Sequence, residues 1–206
     1  MAIREYWLQL ENLAWDVCPW GVDRTNGQNL PAGSGGAYRP VAEEALVIRR
    51  YATNWDRPVG EAINAWDLTE PGLPTARAGF PGAVLEAKVA DEIVVHFRNL
   101  DQRSGVSDVE RLHSLHAHGV QRTPLYDGAF PLSPPDPGQD RRRGDRVAPG
   151  ESFIYRWSCP QRAAAGVWLI HDAAQTGARS TALGAVAVAI IRAPGEQRPD
   201  LPAAAL

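Results

Sequence analysis

Residues 80–100 read FPGAVLEAKVADEIVVHFRNL, and the period of this stretch decides the fold. Leu85, Ala87 and Val89 alternate with Glu86 and Lys88. Further on, Ile93, Val95 and Phe97 alternate with Val94, His96 and Arg98. Successive side chains of a strand point to opposite faces, so a period of two in β-branched and aromatic residues marks half-buried strands. The same pattern recurs outward in both directions. Tyr6, Leu8 and Leu10 share one face, with Gln9 and Glu11 on the other. Phe153, Tyr155 and Trp157 follow the Pro149-Gly150 turn and alternate with Ile154, Arg156 and Ser158. Residues 46–51, 167–170 and 185–191 add further strands, and the last, apolar throughout, is predicted to be central. The 19 glycines and 17 prolines punctuate short apolar runs along the whole chain, which suits a β-sandwich and not a helical protein.

The bulk properties bound the function. With 206 residues, no internal repeat and no linker, the chain is expected to form a single domain, 1–206, with a Pro/Ala-rich flexible tail after about residue 194. Two stretches, 21–40 and 123–149, are predicted as long loops of the kind that carry function or move. A 44% hydrophobic and 22% charged composition is that of an ordinary globular protein. The net charge of −3 comes with no basic arm, so nucleic acid and membrane surfaces are not expected partners. Arg141-Arg142-Arg143 reads as a solvated loop. Residues 1–17, MAIREYWLQLENLAWDV, lack a basic segment followed by an apolar leader, and no run approaches the ~18 apolar residues that span a bilayer. A cytoplasmic protein is therefore expected. Cys18 and Cys159 read as free thiols there, or as a disulfide if the protein is exported. No G-x-S-x-G, P-loop or dinucleotide fingerprint is present.

The histidines carry the chemistry. His116 and His118 lie in SLHAHGV. Residues i and i+2 of a strand project from one face with Cα atoms ~6.6 Å apart, so this pair is spaced to hold one metal ion, or one each of two. Gly119 follows, permitting a turn or a close backbone approach. His171 ends the apolar run VWLIH. His113, three residues before the pair, falls on the opposite face of a regular strand and is retained as a further candidate ligand. His96 sits on the polar face of its strand and reads as structural.

Taken together, these segments resemble the multicopper oxidases, in particular the first domain of the ceruloplasmin and coagulation factor V/VIII type. REYWLQLENLAWDV resembles that family's opening strand, FPGAVLEAKVADEIVVHFRNL its two strands ending in a His-hydrophobic-Arg-Asn motif, SLHAHGV its first copper-binding HxHG, and RVAPGESFIYRW its PGE-x-x-x-Y-x-W strand. The resemblance spans roughly residues 4–192, with 21–40 and 61–79 aligning poorly. It implies an all-β, Greek-key, cupredoxin-like sandwich. It also implies that His116 faces the type 2 copper and His118 a type 3 copper of a trinuclear cluster that reduces dioxygen. Asp127, nine residues after His118 in an Asp-Gly, falls where the family has a proton-donating acid. The second HxH pair departs from the family: His171 matches one histidine, and the other falls on Leu169 or, in the alternative register, on Ala173. There is no His-Cys-His, so the resemblance implies no type 1 copper in this chain.

Three histidines without thiolate suit copper, zinc or nickel, and the divalent affinity order favours copper. Three readings follow. The first is a copper-dependent oxidoreductase with His116, His118, His171 and His113 as metal ligands, Asp127 as catalytic acid, and dioxygen and a small molecule as substrates. The second is a subunit that gives half of a trinuclear cluster to a homo-oligomer or a second cupredoxin chain. The third is a metal-free interaction module, since a fold does not fix a function.

Overall fold

The computed structural model describes residues 1–12, 15–16, 25–29, 41–42, 45–59, 82–131 and 144–196. Cys18, Arg141-Arg142-Arg143, most of 21–40, residues 132–143 and the tail from 197 lie outside the described residues. Among the described residues ten strands follow in chain order: β1 (Ile3–Asn12), β2 (Trp15–Asp16), β3 (Val41–Ala42), β4 (Leu46–Tyr51), β5 (Val84–Lys88), β6 (Glu92–Leu100), β7 (His116–Ala117), β8 (Ser152–Ser158), β9 (Gly166–His171) and β10 (Val186–Arg192). Among the described residues the one α-helix is a short one, α1 (Gly177–Ala182).

The strands form two mixed four-stranded sheets, ordered β4-β1-β6-β8 and β5-β10-β9-β7, with β2 and β3 paired separately. In the first sheet β1 runs parallel to β6 and antiparallel to β4. In the second, β10 runs parallel to β5 and antiparallel to β9. This is the expected all-β Greek-key sandwich of cupredoxin type. The core sits between the sheets and is filled by the alternating positions. Leu8, Leu10, Ile93, Val95, Phe97, Tyr155 and Trp157 face inward from one sheet, and Leu85, Ala87, Ile170, Ala187, Ala189 and Ile191 from the other. The small alanines of β10 and the large aromatics of β6 and β8 belong to one buried cluster, packed at interior density. The apolar stretch 185–191 is central, as its composition predicts: β10 lies between β5 and β9.

Two tyrosines fasten the layers. Tyr6 Oη donates to the Glu86 carbonyl at 2.5 Å and accepts from the Glu86 amide at 2.9 Å, joining β1 to β5. Tyr155 Oη accepts from the Leu115 amide at 3.0 Å and donates to the Gly144 carbonyl. Leu115 is thereby held against the core, and with it the start of β7. A tyrosine whose hydroxyl is satisfied in this way buries its ring without leaving a polar atom orphaned.

Candidate metal centre

The site sits on the outer face of the second sheet, at its β7 edge. β7 and β9 pair antiparallel with His116 opposite His171 and Ala117 opposite Ile170. Ala117 and Ile170 are fully buried, so period 2 turns His116 and His171 outward. The His118 amide donates to the Leu169 carbonyl at 3.0 Å, extending the pairing by one residue. The three imidazoles converge, with centroids 5.1 Å apart for His116–His118, 5.4 Å for His116–His171 and 5.2 Å for His118–His171. One ring nitrogen from each lies within 4.8 Å of the others.

The tautomers are set by backbone carbonyls. His116 Nδ1 lies 2.9 Å from the Asp127 carbonyl, and His171 Nδ1 lies 2.9 Å from the Asp172 carbonyl. A carbonyl only accepts, so each Nδ1 carries the hydrogen and each Nε2 carries a lone pair. This is how ligating histidines are held. His118 Nε2 lies 3.1 Å from His171 Nε2, so the two nitrogens face one shared space. The donor set, three imidazoles and no thiolate, fits copper in the affinity order of divalent ions. Burial pushes the His116 pKa below the ordinary histidine value; the Asp127 carbonyl opposes this, and the Arg122 guanidinium reinforces it. A depressed value favours the neutral imidazole that ligation requires.

Two glycines make the loop possible. Gly119 has φ +71°, and a Cβ there would fall 2.1 Å from the Trp168 ring. Gly128 has φ +77°, and a Cβ there would fall 2.1 Å from the Leu115 carbonyl oxygen. Gly128 thus lets the Asp127 turn close onto β7, which brings the Asp127 carbonyl to His116.

The other sequence-predicted residues fall into distinct places. Asp127 is beside the trio: its carboxylate is 3.5 Å from His116 Nδ1 and is ion-paired with Arg122 Nε. Leu169 lies on β9 on the same face as His171, next to His118, and is 43% exposed. Ala173 lies beyond the end of β9, its amide on Ser114 Oγ at 3.1 Å. His96 stacks on Trp7 at 4.5 Å and pairs with Glu5 at 2.7 Å, away from the trio.

His113 is not brought to the trio, and its nitrogens are both taken. It is fully buried, with Nδ1 2.6 Å from Asp172 Oδ2 and Nε2 2.9 Å from Asp101 Oδ2. The geometry removes it as a ligand because no lone pair faces outward. Burial alone would lower its pKa, but the two carboxylates outweigh that and raise it. Burial likewise works to raise Asp172 and Asp101, and the His113 contacts, with Arg103 on Asp101, bring both below the ordinary carboxylate value. Two cations, His113 and Arg103, thus face two anions, Asp101 and Asp172, in a nearly dry cluster. Asp172 also takes the Ser114 amide at 2.9 Å and the Ser180 hydroxyl. The cluster locks the residue that follows His171. Asp101, Asp172 and Arg122 are contacts of His113 and His116 that the sequence alone does not single out; the His-Asp dipeptide closing an apolar strand is a local signal for Asp172.

Similarities to known proteins bear on the fold and the family. No family model matches the chain. Mouse hephaestin is 28% identical over 162 residues, covering 78% of this chain and 13% of hephaestin. Rat ceruloplasmin is 28% identical over 173 residues, covering 77% and 14%. Coagulation factor V of Pseudonaja textilis is 30% identical over 162 residues, covering 75% and 9%. A solved multicopper oxidase from Pseudomonas thermotolerans superposes with a TM-score of 0.52 at 16% identity, covering 94% of this chain and 30% of that one; it supports the fold. Fold and relatives together define a cupredoxin-like domain. The chain is such a domain of multicopper oxidase type, and it spans 9–14% of the length of these curated relatives. Copper is the cofactor that the relatives indicate.

These relatives correct the expectation of a cytoplasmic protein. Hephaestin, ferroxidase HEPHL1 and ceruloplasmin are secreted or membrane-anchored extracellular proteins. An apolar leader absent from residues 1–17 cannot argue otherwise for a chain matching so small a part of its relatives.

Proposed function

We propose that the domain binds copper through His116, His118 and His171 and works as the dioxygen-facing part of a copper-dependent oxidoreductase. The observation that carries this is the pair of Nδ1–H groups fixed on backbone carbonyls, which aims two Nε2 lone pairs at the space shared with His118. Copper would supply one-electron redox chemistry toward dioxygen there. His116 and His171 hold their orientation through the Asp127 and Asp172 carbonyls, and the Asp127 carboxylate stands ready to exchange a proton beside His116.

The subunit reading is favoured over a self-sufficient enzyme. Cys159 is fully buried in the core, and burial pushes its thiol up to about 11, the opposite of a thiolate ligand. Beside the trio, Leu169 (43% exposed) and Val167 (71% exposed) leave the outer face of β9 apolar. A face of this kind next to an incomplete ligand set suits a second cupredoxin domain that adds ligands and electrons. Sedimentation of tag-free protein, with and without copper, tests it together with oxygen uptake under a chemical reductant. The reading predicts copper-linked association and uptake only in the associated form. Full activity in a monomer would make the chain a complete enzyme, and absence of copper binding would leave the interaction-module reading.

A further inference from the structure

Arg122 is placed where no metal-binding loop requires a cation. Its Nε donates to Asp127 Oδ1, and its Nη1 donates to the Ala117 carbonyl at 2.7 Å. With those two corners tied, Nη2 comes to rest 3.1 Å from His116 Nε2 and 3.4 Å from Nδ1. The two ring nitrogens point their in-plane axes apart, so a group nearly equidistant from both lies on the lone-pair axis of neither. The guanidinium therefore leaves the Nε2 lone pair open and holds a permanent positive charge against the ring.

We propose that Arg122 is a specificity-determining residue of the three-histidine site: a fixed cation that disfavours divalent ions relative to monovalent copper. This rests on the site binding a metal as proposed above. Repulsion between the guanidinium and a bound ion is proportional to the ion's charge, so it weighs twice as heavily on Cu(II) or Zn(II) as on Cu(I). The Asp127 carboxylate offsets part of the field, which makes Arg122 and Asp127 a coupled pair that sets the local charge. The ion pair also keeps Asp127 turned toward Arg122, which restrains the carboxylate from becoming a ligand itself.

The test uses tag-free full chain and measures Zn(II) and Cu(I) affinity by chelator competition, with circular dichroism as the check on folding. Arg122→Gln should raise Zn(II) affinity about tenfold and Cu(I) affinity about threefold, since the effect on the logarithm halves with the charge. The matching threefold difference between Cu(II) and Cu(I) lowers the copper reduction potential by about 30 mV. Arg122→Lys, which keeps the charge, should stay close to wild type. Asp127→Asn should weaken Zn(II) binding, and the double variant should return toward wild type. Unchanged or weaker Zn(II) binding in folded Arg122→Gln overturns the proposal. So does an unchanged Asp127→Asn, which would assign any gain in Arg122→Gln to a carboxylate freed to ligate. A wild-type chain that takes up neither ion overturns the site itself, and Arg122's role with it.

Discussion

Replacing His113 by leucine removes the cation from the middle of a buried ion cluster. The ring is fully buried, and its two nitrogens bond Asp172 at 2.6 Å and Asp101 at 2.9 Å. Each bond is charge-assisted and contributes ~1.5–3 kcal/mol, so the pair together contributes ~3–6 kcal/mol. Breaking a buried ion pair by deleting one partner costs ~3–5 kcal/mol, because the remaining charge stays buried. Asp101 keeps Arg103 at 2.8 Å, and Asp172 keeps the Ser114 and Ala174 amides, which places the loss near the middle of that range. His113→Leu is therefore expected to destabilise the apoprotein by about 4 kcal/mol. For a domain of this size that is a drop of ~8–16 °C in the melting temperature. Urea unfolding gives the free energy directly, provided the slope is unchanged. Because Asp172 also positions the carbonyl that orients His171, the folded variant should lose metal affinity as well. A loss under ~1 kcal/mol would show that the imidazolium between the carboxylates contributes little, and would refute the reasoning.

Further predictions concern pH, backbone and spectrum. The His113 pKa is raised in the folded state, so its contribution is fully present below about pH 6.5 and is lost as pH rises through the folded value. Asp101 and Asp172 are lowered, so theirs is present above about pH 3.9 and is lost as pH falls. The apoprotein should melt highest between about pH 4 and 6.5; a maximum above pH 8 would contradict the cluster. Gly119→Ala should cost about 2 kcal/mol or more, since alanine is strained at φ +71° and its Cβ would enter the Trp168 ring; an unchanged melting temperature would contradict that packing. Copper(II)-loaded protein should show no intense blue band, which requires a copper–thiolate bond, and a strong one in the visible spectrum would bring a cysteine into the site.

The sandwich was legible because the information for it is local. Tyr6, Leu8 and Leu10, or Phe97 and Tyr155, declare their face by alternation alone, and β10 declares its central place by having no polar side. His116 and His118 were legible for the same reason: i and i+2 on a strand need no tertiary knowledge. His171 was placed by resemblance, and its position opposite His116 depends on the β7–β9 register. His113 was misread because its partners stand 12 and 59 residues away, and nothing local distinguishes an imidazole held between two buried carboxylates from one aimed at a metal. Arg122 went unnoticed for a similar reason. Four residues after His118 it reads as an ordinary loop charge, and the tether that turns it back is the carbonyl of Ala117 together with a carboxylate across the turn.

The central claim is that His116, His118 and His171 together hold one copper site. The most direct measurement is copper content per chain after equilibrium dialysis of tag-free protein, compared across wild type, His116→Ala/His118→Ala, His171→Ala and His96→Ala. The account predicts stoichiometric copper in wild type and in His96→Ala, which lies away from the trio beside Trp7 and Glu5. It predicts near-complete loss in the double variant and a large loss in His171→Ala. A folded double variant that retains as much copper as wild type would contradict it.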